Sequence, residues 1–441
     1  MTDGLRTGQD KDQTGSPVIG TSRPRLLSVL GPGLITGASD DDPSGIATYA
    51  QAGAAFGYGL AWLLFYSYPL MVAVQMISAR IGRVTGHGIA GVLRLHAPNW
   101  LLQTTVLLLL VANTVNLGAD LGGMGDATTL LLPGIPRWLP VVFLGFLCVG
   151  MQLLLSYTRY VAVLKWLTAA LLLYFAALAM TEVDWITFLS DTMLPGNLSG
   201  REAWTTVVAV LGTTISPYLF FWQSAEEAED LHVDPRRHEL ITAPEQAPAA
   251  LHRIEVDTLA GMGFSNVVAL AILGTAAAAF HRNGIADIAT SAQAAEALRP
   301  IAGHFASLFF AMGVIGVGLM AVPVLAGSAA YAIGEARQWP VGYSRCMQEA
   351  RAFYVVVALS TLIGMAISLT PSIDPIRALF WSAVLNGVVS VPVMVVMMRA
   401  ASDRAIMGSF AVRGLLRALG WVATVVMALA AMGMVLTYAI A

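Results

Sequence analysis

Charge is scarce in this 441-residue sequence, in which Asp, Glu, Lys and Arg together make up 12% against 57% hydrophobic residues. Soluble domains carry roughly 25% charged residues, so a water-soluble globular fold is excluded and lipid is the main solvent of the chain. Cysteine is scarcer still. Cys148 lies in an apolar stretch and Cys346 in a basic loop, which excludes a disulfide framework or a cysteine metal site and leaves two packing thiols. The seven histidines, His87, His96, His232, His238, His252, His281 and His304, all fall in or near loops, so no histidine ligand cluster forms within the apolar runs. A net charge of only -3 argues against a nucleic-acid surface. No Walker A sequence or dinucleotide fingerprint occurs. Residues 1–25 are polar and lack the apolar core of a cleavable signal peptide, so they read as a disordered tail.

What the sequence does have is apolar runs of about 20 residues, the length that crosses a bilayer as a helix. Eleven are found, at 27–55, 58–79, 101–119, 138–157, 161–180, 204–225, 256–280, 303–333, 352–370, 376–398 and 412–440. Helices are expected because lipid offers no partner to unpaired backbone groups. With the N-terminus placed in the cytoplasm, 19 of the 24 Lys and Arg residues fall in cytoplasmic segments, which predicts an N-in, C-out orientation in a bacterial inner membrane. Trp62, Trp138, Trp166, Trp204 and Trp421 sit at run ends as interfacial anchors. The loop at 226–255, with Glu226, Glu227, Glu229, Asp230, Arg236, Arg237, Glu239 and three prolines, reads as a solvated connector.

Two runs are interrupted at their centres. In span 1, Asp40, Asp41 and Asp42 precede Pro43, Ser44 and Gly45, and Asp42 lies 16 residues from both Leu26 and Tyr58. Each carboxylate there costs about 2.5–3.5 kcal/mol on insertion scales, which makes the cluster a functional-site hypothesis. Proline removes a backbone donor and glycine tolerates extended geometry, so the helix should break here and free its carbonyls. The negative end of the first half-helix then adds to the demand for a cation. Span 6 carries Ser216, Pro217 and Tyr218 about 12 residues in from Trp204. Paired interruptions in spans 1 and 6 point to a transporter of five-plus-five inverted repeats.

Over residues 25–400 the chain resembles the Nramp family of proton-coupled divalent-metal transporters, most closely in "GPGLITGASDDDPSGIATYAQAGAAFGYGLAW" and "QMISARIGRVTG". The resemblance implies an all-α membrane protein with a LeuT-type 5+5 inverted repeat and broken helices 1 and 6. Its core would span 26–400, with repeats at about 26–180 and 204–398, and 401–441 would add a C-terminal helix. It implies a non-enzymatic carrier of Mn2+, Fe2+ or Mg2+, with the metal as substrate and no cofactor. By position, Asp42 matches the family's metal-binding aspartate, Pro43 its proline and Ser44 its glycine, while Gly45 stands where an asparagine ligand would be. Ser216-Pro217-Tyr218 replaces Met-Pro-His, and Gln223-Ser224 replaces a His-Ser pair. Losing the thioether shifts the expected preference toward harder ions, since carboxylate, carbonyl, hydroxyl and water suit Mg2+, Ca2+ and Mn2+. Span 3 keeps Asp120 of the family's proton route but has Gly123 and Asn113 where acids flank it, and span 9 lacks an arginine, so the chain leans toward the Nramp-related magnesium transporters.

The candidate metal set is therefore Asp42, Ser216, Asp41, Gly45, Tyr218, Gln223 and Asn386, the last in span 10. Asp40 and Asp41 point to other helix faces than Asp42 and can draw cations inward. Asn113, Asn116 and Asp120 share one face of span 3, forming either a wet ion or proton pathway or a packed hydrogen-bond network. Two rival functions remain: a carrier of amino acids or other organic solutes on the same fold, and an intramembrane aspartyl protease using Asp42 and Asp120. The protease would leave the two helix breaks without a purpose.

Overall fold

The structure is a computed structural model that describes residues 36–37, 39–154, 171–196, 198–233, 236–299 and 303–440. The tail at 1–25, the start of span 1 and the first part of span 5 with Trp166 lie outside the described residues. Among the described residues all regular structure is helical, as apolar runs in lipid demand. Among the described residues eight helical spans, with the interrupted stretch Gly200–Leu231 counted as one, are long and apolar enough to cross a bilayer, and a shorter apolar helix covers Trp138–Leu154.

Span 1 breaks where the sequence places its aspartates. Thr36, Gly37, Ser39 and Asp40 are helical, Asp41 is a bend, and the chain at Asp42 is extended, with φ -64° and ψ 172°. A new helix, α1 (Pro43–Phe56), then starts with Asp42 as its N-cap and Pro43 in its first turn, the position where a proline costs no hydrogen bond. It ends at Gly57, whose φ of 58° is the left-handed region glycine enters without strain. Next come α2 (Ala61–Thr85), the short α3 (Ile89–His96), α4 (Asn99–Leu131), α5 (Trp138–Leu154), α6 (Leu172–Met180) and α7 (Trp185–Met193).

The second break has the same construction. Helix α8 (Gly200–Thr214) stops at Ile215, with φ -126° and ψ 61°, and α9 (Pro217–Val233) restarts on a proline. Then follow α10 (Ala247–Ala279), α11 (Ser291–Glu296), α12 (Ala306–Arg337), α13 (Arg351–Ser368), α14 (Pro375–Ser402) and α15 (Gly414–Ile440). Helix α1 packs on α10, α9 on α2, α4 on α12 and α13, and α8 on α14. The outermost, α15, leans on α2, α8 and α14 and turns Leu415, Val435 and Leu436 outward. Phe143, Phe146 and Ile363 are likewise exposed, an apolar exterior suited to lipid.

Small residues set the closest approaches. A Cβ on Gly37 would stand 2.2 Å from the carbonyl oxygen of Gly261 in α10, and one on Gly53 would stand 2.3 Å from that of Leu273. Spans 1 and 7 thus lie backbone to backbone over much of their length, the geometry that membrane bundles reach with small residues.

The 226–255 segment is only in part the solvated connector expected: Arg236, His238 and Glu245 are exposed, but others of its charges are buried. Glu227 is fully buried and paired with Arg253, Asp230 is paired with Arg237, and the Arg83 guanidinium donates to Gln246 Oε1 at 3.0 Å. Leu240 is buried, and its N–H donates to the Arg83 carbonyl at 3.3 Å. Glu227, Asp230 and Arg237 thus have charged partners, and the segment folds onto the end of α2. Burial first, then Arg253 and Arg83 beside it, pulls the Arg237 guanidinium down to about 10, still protonated at neutral pH. On the same side, Glu335 of α12 caps α3 by accepting from the Gly88 and Gly91 amides at 2.7 and 2.9 Å.

Candidate functional site

Asp42 stands at the meeting of the two breaks. As N-cap of α1 its Oδ1 accepts from the Gly45 amide at 2.8 Å and the Ser44 hydroxyl at 2.6 Å. Its Oδ2 accepts from Asn116 Nδ2 of α4 at 3.0 Å and from the Tyr218 hydroxyl of α9 at 3.1 Å. Spans 1, 3 and 6 thus converge on one carboxylate, which is 2% exposed. The Tyr218 hydroxyl also lies 3.0 Å from the Ser39 carbonyl, at the end of the first half-helix. With a single proton it can donate to only one of these oxygens at a time.

The three consecutive aspartates divide between two faces. Asp40 and Asp41 turn away from Asp42 toward α10, where the Ser265 hydroxyl lies 2.5 Å from Asp40 Oδ2 and 3.2 Å from Asp41 Oδ1. Asp120 comes beside Asp42 and the Ser44 amide, with both its oxygens buried and outside ordinary hydrogen-bond geometry to any donor. None of these four carboxylates is ion-paired to Arg, Lys or His among the described residues. A buried carboxylate without a cationic partner costs several kcal/mol in its charged form, so such a group takes up a proton or binds a cation.

The remaining candidates separate. The Ser216 hydroxyl is turned back on its own helix, donating toward the Gly212 and Thr213 carbonyls at 2.6 and 3.0 Å, and its backbone carbonyl accepts from the Leu219 amide at 3.2 Å, which leaves that carbonyl one lone pair for a ligand. Gly45 presents no side chain; a Cβ there would meet the Asp40 carbonyl oxygen at 3.2 Å and Thr213 Cγ2 at 3.3 Å. Gln223 Nε2 donates to Thr258 of α10 at 3.2 Å, and its Oε1 is buried without a donor. Asn386 of α14 is 1% exposed with both amide atoms unpartnered. Asn113 faces away, donating to the Leu325 carbonyl at 2.9 Å and to Ser328 at 2.7 Å on α12. It belongs to the α4–α12 packing, while Asn116 belongs to Asp42.

Sequence reasoning missed Ser265, Thr258 and Tyr49. Each is fully buried, and the Tyr49 hydroxyl has no partner. A lone hydroxyl in an apolar run is common in helix packing, so only its position opposite the span 1 break sets Ser265 apart. Among the described residues no three His, Cys, Asp or Glu side chains group as a ready-made metal cage. The available ligands are single carboxylates with neutral oxygens around them, and none of the side chains described above is more than 2% exposed.

A site sealed at the meeting of two interrupted helices, inside an all-helical apolar bundle, defines a membrane transporter of the LeuT type. Residues 33–437 match the Natural resistance-associated macrophage protein-like (Nramp) family, and the chain belongs to it. The divalent metal cation transporter MntH of Acidiphilium cryptum is 28% identical over 406 residues, covering 88% of this chain and 86% of its own. A manganese transporter of Eremococcus coleocola superposes with a TM-score of 0.74 at 18% identity, over 94% of this chain and 87% of that one. MhsT, in complex with L-phenylalanine, superposes with a TM-score of 0.63 at 10% identity, over 93% of this chain and 97% of that one. At these identities the two superpositions speak for the fold alone.

Proposed function

We infer that this chain carries divalent metal cations across the membrane by alternating access around a site centred on Asp42. One observation supports this most strongly: a buried carboxylate without a cationic partner receives donors from spans 1, 3 and 6, the elements that rearrange when such bundles rock. The first half-helix of span 1 adds its negative end to that carboxylate. The chain acts as a carrier, not an enzyme, and the metal is its substrate.

The metal's ligands are taken to be Asp42, the carbonyls freed near Asp41 and Ser216, and retained water, with Tyr218, Gln223 and Asn386 within reach as the bundle moves. All are oxygen or amide groups, and such a set accepts Mn2+ and Mg2+ more readily than softer ions. Asp120, beside Asp42, lies on the ion or proton path. The basic-residue asymmetry supports a cytoplasmic N-terminus and an outside C-terminus in a cell membrane.

The test is uptake of Mn2+ and of Mg2+ into liposomes containing the purified chain, with a pH dye inside. Entry of either ion supports the reading, and acidification alongside it shows proton coupling. If neither ion enters and a labelled amino acid does, the organic-solute reading replaces it.

A further inference from the structure

We propose that Asp40 and Asp41, together with Ser265 and Tyr49, form a second cation site beside that of Asp42, suited to a hard divalent cation such as Mg2+ or Mn2+. The proposal rests on the reading of the chain as a divalent-cation transporter, and its starting point is the division of the three aspartates. Asp42 has four donors within reach, whereas Asp40 and Asp41 share one. The Ser265 hydroxyl lies within reach of both but holds a single proton. Asp40 Oδ1 and Asp41 Oδ2 are buried with no donor among the described residues.

Tyr49 supplies an independent observation. It lies one turn beyond Gly45 on α1, and helical side chains lean back toward the N-terminus. Its Cε2 accordingly stands 3.5 Å from where a Gly45 Cβ would be, with the Asp40 carbonyl oxygen 3.2 Å from the same point. The phenol ring is thereby brought to the aspartate end of the helix. Its hydroxyl is fully buried and has no partner among the described residues. The two carboxylates and the Ser265 hydroxyl therefore meet beside the end of α1 that carries the Tyr49 ring, and no Arg, Lys or His among the described residues brings positive charge to them.

A divalent cation supplies it with matching stoichiometry. One ion neutralises the Asp40–Asp41 pair, just as one at Asp42 and Asp120 would neutralise the neighbouring pair. The ligands are oxygen throughout, without sulfur or imidazole, which favours Mg2+, Ca2+ and Mn2+ over softer metals. The site also depends on conformation. Asp41 meets Ser265 at a sequence offset of 224, the offset at which Gly37 meets Gly261 one turn earlier. The two spans run parallel at these contacts, and the site is complete only while the first half of span 1 lies against α10. A cation bound there favours this closed arrangement over any in which span 1 swings away.

The experiment counts Mn2+ bound per purified full-length chain in detergent, reading free Mn2+ by its electron paramagnetic resonance signal. The expected result is about two ions for the native chain, with one lost in Asp42→Ala and the other in Asp40→Asn/Asp41→Asn. In the Asp42→Ala background, Tyr49→Phe and Ser265→Ala each weaken the remaining ion about ten-fold, the change a lost ligand or hydrogen bond brings. These mild variants decide the matter if the double aspartate variant does not fold. A native chain that binds one ion, abolished by Asp42→Ala and untouched by changes at Asp40, Asp41, Ser265 and Tyr49, overturns the second site and leaves the first standing. Retention of both ions in Asp42→Ala would instead overturn the first.

Discussion

Gly37→Ala puts a methyl group where the structure has no space for one. The added Cβ would lie 2.2 Å from the Gly261 carbonyl oxygen, 2.3 Å from its carbon and 2.7 Å from its Cα, all backbone atoms of α10. Since ordinary contact begins near 3.4 Å, the first half of span 1 must withdraw by about 1.2 Å. No side-chain rotation can relieve the clash. Overpacking of this kind costs about 1–3 kcal/mol, and the displacement is passed directly to Asp40, Asp41 and Asp42, three to five residues on. A ligand misplaced by 1 Å can cost about a hundred-fold in rate. Initial Mn2+ uptake into liposomes should therefore fall by about that factor, while the protein still elutes as a single folded species. Gly150→Ala on α5, where an added Cβ meets nothing within 4 Å, should transport like the native chain. Near-native uptake by Gly37→Ala would refute the backbone contact between spans 1 and 7 as the element that positions the aspartates.

Other changes should act as follows. Asn116→Ala removes the amide that holds Asp42 Oδ2 at 3.0 Å; a hydrogen bond to a charged group is worth about 1.5–3 kcal/mol, so the KM for Mn2+ uptake should rise at least ten-fold while the maximal rate changes little. Gly45→Asn combined with Ser216→Met introduces an amide oxygen and a thioether, and competition uptake should show the preference moving from Mg2+ toward Mn2+ by about ten-fold. Glu227→Ala leaves Arg253 without its buried partner and should cost about 3–5 kcal/mol of stability, measured by thermal unfolding in detergent, with Glu227→Gln milder.

Much of this architecture was legible because lipid makes its exceptions conspicuous. A carboxylate or proline in mid-span is costly, so Asp42–Pro43 and Ser216–Pro217 announced both helix breaks and the site between them. Partners within the bundle were less visible. Asn113 and Asn116 share a polar stripe, yet one turns to α12 and the other to Asp42, a choice set by helix rotation. Ser265 resembles any small packing residue until the contact between Gly37 and Gly261 fixes which turn of α10 faces the aspartates. The 226–255 segment misled because a mixed run of charges reads as solvated whether its members face water or one another. Arg253, the partner of Glu227, lies beyond the acidic run, and Arg83, which holds Gln246, lies in α2.

The central claim is that Asp42 holds the transported metal, and Mn2+ uptake by Asp42→Ala and Asp42→Asn in liposomes, beside the native chain at equal protein density, tests it most directly. Asn matches the size of the carboxylate and can keep the Gly45 and Ser44 hydrogen bonds through its amide oxygen, but it loses the charge and turns an NH2 donor toward Asn116 and Tyr218. Both variants should fold and both should lose uptake to the level of empty liposomes. Substantial Mn2+ uptake by Asp42→Asn would contradict the account, because the site would then be working without the charge around which it is assembled.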